Sequence, residues 1–233
     1  MRFETGKESS ARVQTTSATL IKAIIFDLDG VIVDTAHYHY MAWKKLANNL
    51  GIDLTIEDNE RLKGVSRMDS LDIILDLGGI TLQQEEKETL ASRKNTWFLE
   101  YVEQMTPADT FPGVKELILN FKAKGIKIGL ASSSKNAARV LDLLEIRSLF
   151  DVVVDGTMIK NSKPDPEIFL LAAAKLDLQP SECVVFEDAE AGVEAALRAG
   201  MKCVGVGDQM QLSSADKVIA KTGQFTFAEL EEL

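Results

Sequence analysis

Ala23-Ile24-Ile25-Phe26 runs directly into Asp27-Leu28-Asp29-Gly30, and this junction restricts the fold more than any other stretch of the chain. A run this short and this apolar, closed by a glycine, reads as a strand buried on both faces rather than as an amphipathic helix. Its acids therefore stand at a strand's carboxyl end, where open parallel sheets bind their ligands. Residues two apart in extended chain point the same way, so Asp27 and Asp29 face one small volume. Two unpaired carboxylates about 4 Å apart would repel by roughly 4 kcal/mol at an effective dielectric near 20. Something cationic has to offset them.

Beyond this strand the apolar spacing is helical over 37–50, 55–62, 69–77 and 83–105, with breaks at Gly51, Gly64 and Gly78-Gly79. Residues 36–107 thus read as a four-helix insertion. From Phe111-Pro112-Gly113 onward, helices over 114–124, 136–144, 166–176 and 189–199 alternate with strands over 126–131, 152–154, 183–186 and 203–206. Alternation of this kind predicts right-handed crossovers and a parallel sheet covered on both faces. The expected class is α/β, a doubly wound parallel-sheet core over 20–35 and 108–233 with an inserted all-helical cap over 36–107. Residues 1–19, rich in Ser, Thr and charge, read as a loose extension.

Totals narrow the function. With 233 residues, 45% of them hydrophobic, the chain can bury one substantial core and a second small one. The net charge of -10 argues against partners that are nucleic acid or anionic membrane, so an anionic substrate must be held by a local basic pocket. Cys183 and Cys203 each open a predicted core strand and are expected to be buried free thiols. The longest apolar run, 168–174, is too short to cross a bilayer, and the first nineteen residues hold no apolar signal core. A cytoplasmic location and a monomeric state are the expectations.

Four polar clusters fall at predicted strand ends: Asp27-Leu28-Asp29, Ser132-Ser133-Ser134-Lys135-Asn136, Lys163-Pro164 and Glu187-Asp188. Each has an ordinary reading. Serines ahead of a helix usually cap it, a lone lysine before proline is usually solvated, and acids at a helix start favour its dipole. Two pairs of acids converging on one strand-end level instead suit a hard cation such as Mg2+, which takes oxygen ligands, keeps waters and is commonly shared with phosphate. On that reading Asp27 can attack phosphorus, Asp29 can exchange a proton with the entering or leaving oxygen, and Lys163 and Ser132 match charge on the transferring group.

These residues resemble the haloacid dehalogenase superfamily of aspartate-based phosphotransferases. The resemblance is nearest to its sugar-phosphate mutase branch, through Asp34-Thr35-Ala36-His37-Tyr38-His39 with Trp43, Leu62-Lys63-Gly64-Val65-Ser66-Arg67, Asp69-Ser70-Leu71, Arg93-Lys94-Asn95 and Leu130 to Asn136. It implies interconversion of beta-glucose 1-phosphate and glucose 6-phosphate through a phosphorylated Asp27 and a bisphosphate intermediate. A phosphatase passing the same phospho-aspartate to water is the alternative.

The resemblance further implies that Mg2+ is held by Asp27, the Asp29 main chain, Glu187 and Asp188. Ser132, Ser133 and Lys163 would hold the transferring phosphate, and Arg67, Ser134, Lys135 and Asn136 the distal one. Thr35, His39, Trp43, Lys63, Gly64, Ser70 and Lys94 would line the sugar side or the hinge. Taken alone, Arg67 and Lys94 would be ordinary surface charges, and Trp43 and Phe98 core residues of the insertion. Ala189 and Asp165 depart from the family's serine and small apolar residue beside the site.

Overall fold

Strands β1 (Ala23–Phe26), β2 (Lys127–Ala131), β3 (Val152–Val154), β4 (Cys183–Glu187), β5 (Lys202–Val206) and β6 (Lys217–Ile219) form one parallel sheet in the order β3-β2-β1-β4-β5-β6 in a computed structural model that describes residues 20–233. The extension expected over 1–19 lies outside the described residues. Strand β1 is central and wholly buried, as its four apolar residues require. Alternate β1 side chains serve opposite faces. Ile24 and Phe26 join a core with Leu117, Ile118 and Phe121 of α5 (Val114–Ala123) and with α6 (Ala137–Leu143). Ala23 and Ile25 join a second core with Phe169 and Ala172 of α7 (Glu167–Lys175) and Val193 of α8 (Glu190–Arg198). The doubly wound architecture follows from this two-sided burial. Both cysteines are buried and free.

The insertion contains α1 (Ala36–Asn49), α2 (Ile56–Glu60), α3 (Arg67–Leu77) and α4 (Gln84–Val102). Trp43, Leu46, Leu71, Ile74 and Ala91 close a separate apolar cluster among these helices. Ala42, Phe98 and Val102 belong instead to the core on the Ile24 face. The two passages between cap and sheet run side by side: Val33 bridges Thr110, and the Phe111 amide donates to the Ile32 carbonyl at 2.9 Å. Cap position is therefore set by two adjacent strands and by whatever bonds form across the interface. Among the described residues no helix is long and apolar enough to cross a membrane.

Two elements escaped the periodicity. Edge strand β6 is three half-buried residues, too few to display alternation. Helix α9 (Phe227–Glu231) is five residues long and is held by a reciprocal cap in which Thr226 and Glu229 satisfy each other's backbone amides. Strand β4 also runs one residue past its expected end, to Glu187, which fixes where that acid leaves the sheet.

Close packing under this acid depends on Gly192 in the first turn of α8, where a Cβ would overlap the Glu187 carboxylate. Gly192→Ala is expected to destabilise the fold by about 1–3 kcal/mol, as overpacking of a buried site does. Urea titration followed by circular dichroism reads this as a lowered midpoint at constant slope; an unchanged midpoint would show that the carboxylate moves aside freely.

Candidate active site

Parallel register brings the four clusters to one level. Phe26 pairs with both Leu130 and Phe186, and Ala131 pairs with Val154. Asp27, Ser132 and Glu187 therefore leave the sheet together, at the point between β1 and β4 where the strand order reverses. Open α/β sheets form their ligand crevice there.

At the bottom of this crevice Lys163 Nζ donates to Asp27 Oδ1 at 2.5 Å and to the Glu187 carboxylate, with the Ala131 carbonyl at 3.4 Å. All three charged groups are buried. The ordinary reading of Lys163 as solvated does not hold. Burial alone would lower the Lys163 pKa, but the Asp27 and Glu187 carboxylates outweigh burial and hold it above its ordinary value. Burial and the Glu187 charge lift Asp27 to about 6 against the pull of Lys163. Burial, then the charge on Asp27, lifts Asp29 to about 8. Asp188 is pushed well up by burial and by Glu187 and Asp27. A carboxyl that keeps its proton near neutrality can both give and take one, which is what acid-base exchange asks of Asp29.

A cavity of about 90 Å³ stands above these groups. Asp27, Asp29, Asp188, Ser132, Ser133, Ser134 and Lys135 line it from the core, and His39, Trp43, Lys63, Gly64, Arg67, Ser70 and Lys94 from the cap. Ser132 Oγ accepts from the Ser134 amide and Ser134 Oγ from the Asn136 amide, both at 3.2 Å. Neither serine is the residue at the N-cap of α6, which is Asn136, so both hydroxyl protons stay free to donate.

On the cap side, Lys94 is 2% exposed rather than solvated. Its Nζ stands 2.6 Å from His39 Nδ1 and 4.5 Å from the centre of the Trp43 ring, while His39 stacks on Phe98. Burial, then the Arg67 charge, holds Lys94 well below its ordinary pKa; burial, then Lys94, does the same for His39. Arg67 Nη2 donates to Asn95 Oδ1 at 2.8 Å, and burial lowers its pKa. Ser70 donates to the Ser66 carbonyl, and Lys63 pairs with Glu60 at 2.8 Å.

Four expected residues do not line the cavity. Lys163 lies beneath it, and Asn136 bonds Asn95 at 2.8 Å at its edge. Thr35 is buried at the start of α1 with Oγ1 unpartnered among the described residues. Glu187, expected as a metal ligand, is instead turned onto Lys163 and accepts from the Ala189 amide at 3.0 Å, because the sharp turn into α8 brings that amide over its carboxylate. Ala36, Asn59, Leu62 and Val65 also line the cavity; Ala36, Leu62 and Val65 stand inside the motifs of the sequence without an assigned role, and Asn59 carries no sequence signal.

Among the described residues no three His, Cys, Asp or Glu side chains are gathered closely enough to hold a metal as they stand, since the Lys163 ammonium spans Asp27 and Glu187. The remaining donors nevertheless suit a hard cation. Asp29 Oδ1 is buried without a hydrogen-bond partner among the described residues, and Asp27, Asp29 and Asp188 are all raised by burial together with neighbouring acid. Gly30, at φ 74°, leaves the Asp188 carboxylate a seat that any Cβ would fill. Oxygen donors with surplus negative charge are what Mg2+ takes.

A family model for haloacid dehalogenase-like hydrolases matches residues 21–200. Beta-phosphoglucomutase of Bacillus subtilis is 47% identical over 91% of this chain and 95% of its own length. A phosphorylated carbohydrates phosphatase of Thermotoga maritima is 34% identical over 91% and 96%. The crystal structure of a beta-phosphoglucomutase from Clostridium difficile superposes with a TM-score of 0.89 at 46% identity, over 91% of this chain and 96% of that one.

Raised carboxyls carry a sign. In the fold Asp29 titrates near 8 against an ordinary 3.8, so between those values the native state binds the extra proton and stability falls as pH rises. Metal-stripped protein is expected to lose several degrees of Tm between about pH 5 and 8.5, added Mg2+ to restore it at the upper end, and Asp29→Asn to flatten the profile. Calorimetry in chelator and in Mg2+ checks this; a flat wild-type profile would mean these acids ionise without cost.

Proposed function

The chain belongs to the haloacid dehalogenase-like hydrolase family, and we propose that within it the chain is a phosphomutase that interconverts beta-glucose 1-phosphate and glucose 6-phosphate. One observation carries this reading. A single cavity has a buried acid pair at one end, with Lys163 bonded to Asp27 beneath it, and Arg67 with Lys135 on its wall, so cationic groups stand at two places for two phosphates rather than one. The B. subtilis relative supports the choice of sugar phosphate, and residues 20–35 with 108–233 would act as catalytic core under the cap of 36–107.

Asp27 would attack phosphorus through its free carboxylate oxygen and carry the phosphoryl group as an acyl phosphate. Lys163, already bonded to the other oxygen of Asp27, would match charge on the transferring group together with the Ser132 hydroxyl. Asp29 would take the proton from the sugar hydroxyl as that oxygen attacks phospho-Asp27, giving the bisphosphate and freeing Asp27. After the bisphosphate turns over, Asp27 would attack the other phosphate and Asp29 would return its proton to the leaving sugar oxygen. Arg67, Ser134, Lys135 and Asn136 would hold whichever phosphate is not reacting. Mg2+ held by Asp27, Asp188 and the Asp29 main-chain carbonyl would supply the counter-charge that lets an anionic nucleophile meet an anionic phosphate. His39, Trp43 and Lys94 would line the sugar and keep water out as the cap closes.

Purified protein incubated with Mg2+, beta-glucose 1-phosphate and a trace of the 1,6-bisphosphate is expected to give glucose 6-phosphate with little free phosphate. Free phosphate as the main product would assign it as a phosphatase instead. Asp27→Asn is expected to abolish phosphoenzyme and cut turnover by several orders of magnitude. Arg67→Ala is expected to damage isomer formation far more than hydrolysis of a one-phosphate ester; equal damage would remove Arg67 from the distal phosphate.

A further inference from the structure

Behind the wall formed by Arg67, Ser133 and Lys135 lies a second, wider cleft between cap and core, and one bond crosses it: Ser162 Oγ donates to Asp69 Oδ2 at 2.5 Å. The positions of these two residues in the chain give the bond its interest. Ser162 immediately precedes Lys163. Asp69 lies two residues after Arg67 in the first turn of α3, where its Oδ2 also accepts from Oγ of Ser66, the N-cap of that helix, at 2.7 Å. The bond therefore ties the backbone that carries the cation beneath Asp27 to the turn that carries the cation of the cavity wall.

Among the described residues it is the direct side-chain bond from α3 to the core; Arg67 itself reaches the core only at one remove, since the Asn95 Oδ1 that accepts from its Nη2 also accepts from Asn136 Nδ2. Contacts from the core reach other cap elements: Ser133 Oγ meets the Gly64 carbonyl and Asn136 Nδ2 meets Asn95, each at 2.8 Å. The remaining link is the pair of connecting segments at 31–35 and 107–111, which Val33 and Thr110 join by a single bridge. The bond lies at the surface, with Asp69 exposed, so water weakens it, but its narrow range of length still restricts distance more than a packing contact does.

We propose that Ser162 and Asp69 are a positioning pair which fixes the separation between Lys163 and Arg67, and so sets the span between the two phosphates of the bisphosphate. This rests on the mutase reading above. Neither residue touches the cavity, so the pair acts only through the groups it spaces. A substrate with one phosphate makes no demand on that spacing, whereas a bisphosphate held at both ends does, and small misplacements at a reacting centre are costly.

The test uses the full chain with Mg2+ and two assays, isomerisation of beta-glucose 1-phosphate and hydrolysis of acetyl phosphate, a donor with a single phosphate. Ser162→Ala is expected to lower kcat/KM for isomerisation about three- to fivefold, the upper range for one exposed hydrogen bond to a carboxylate. Acetyl phosphate hydrolysis should stay within about twofold, and Ser162→Thr should restore isomerisation. Adding Ser162→Ala to Asp69→Ala, which also loses the Ser66 contact, should cause no loss in isomerisation beyond that of Asp69→Ala alone. Faster hydrogen exchange over residues 64–70 in Ser162→Ala would accompany these effects.

Unchanged isomerisation in Ser162→Ala, equal loss in both assays, or additive losses in the double variant would each overturn the pair while leaving the mutase reading intact. Failure of the unmodified protein to form isomer would overturn that reading and the pair together.

Discussion

A buried ammonium shared by two buried carboxylates is the contact on which this structure turns. Lys163 reaches back from the loop after β3 to Asp27 at the end of β1 and to Glu187 at the end of β4, and so binds two strand ends to one charge. Removing a single partner from such a group leaves an uncompensated buried charge, a change that costs about 3–5 kcal/mol. Fold and chemistry therefore cannot be separated here. The same contact that allows acids to lie under a sheet-end cavity also fixes the orientation of Asp27, whose second oxygen remains available.

Charge counting explains the rest of the floor. Four acids meet one lysine, and the surplus has to be relieved by protons or by another cation. Asp29, without a hydrogen-bond partner for Oδ1 among the described residues, carries the strain as a high pKa. The cap presents the opposite surplus, with Lys94 and Arg67 both held below their ordinary pKa by burial. Acid below and base above leave a cavity whose two halves are each unfavourable alone. The two surpluses attract each other across the cavity, Lys94 pulling against the raised Asp29, and an anionic ligand against the cap with a divalent ion on the floor would relieve each separately.

How much of this was legible in the chain depended on sequence distance. The β1 junction, the alternation after Phe111 and the helical insertion are local patterns, and each appears with bounds close to those expected. The meeting of the four clusters was also readable, because parallel register places successive strand ends at one level. What could not be read was which side chains go inward. Lys163 and Lys94 look like surface lysines until β1 and α1 are packed against them, and Glu187 looks like a ligand until the turn to Ala189 places an amide over it. Strand β6 and helix α9 are too short for periodicity to register, and their support comes from β5 and from a cap rather than from their own pattern.

This division has a chemical meaning. The residues proposed to make and break the bond to phosphorus, Asp27 and Asp29, follow a strand end, where the sheet positions them and where sequence pattern alone locates them. Residues that choose the acceptor sit on cap helices and interface loops, and their positions depend on contacts between segments far apart in the chain, such as Gly64 with Ser133 and Asn95 with Asn136. Transfer to a sugar differs from transfer to water only in what occupies the cavity when the acyl phosphate is exposed. The sheet supplies the level at which these side chains meet rather than the reaction itself, and in the mutase reading the fit of the cap over them decides which oxygen receives the group.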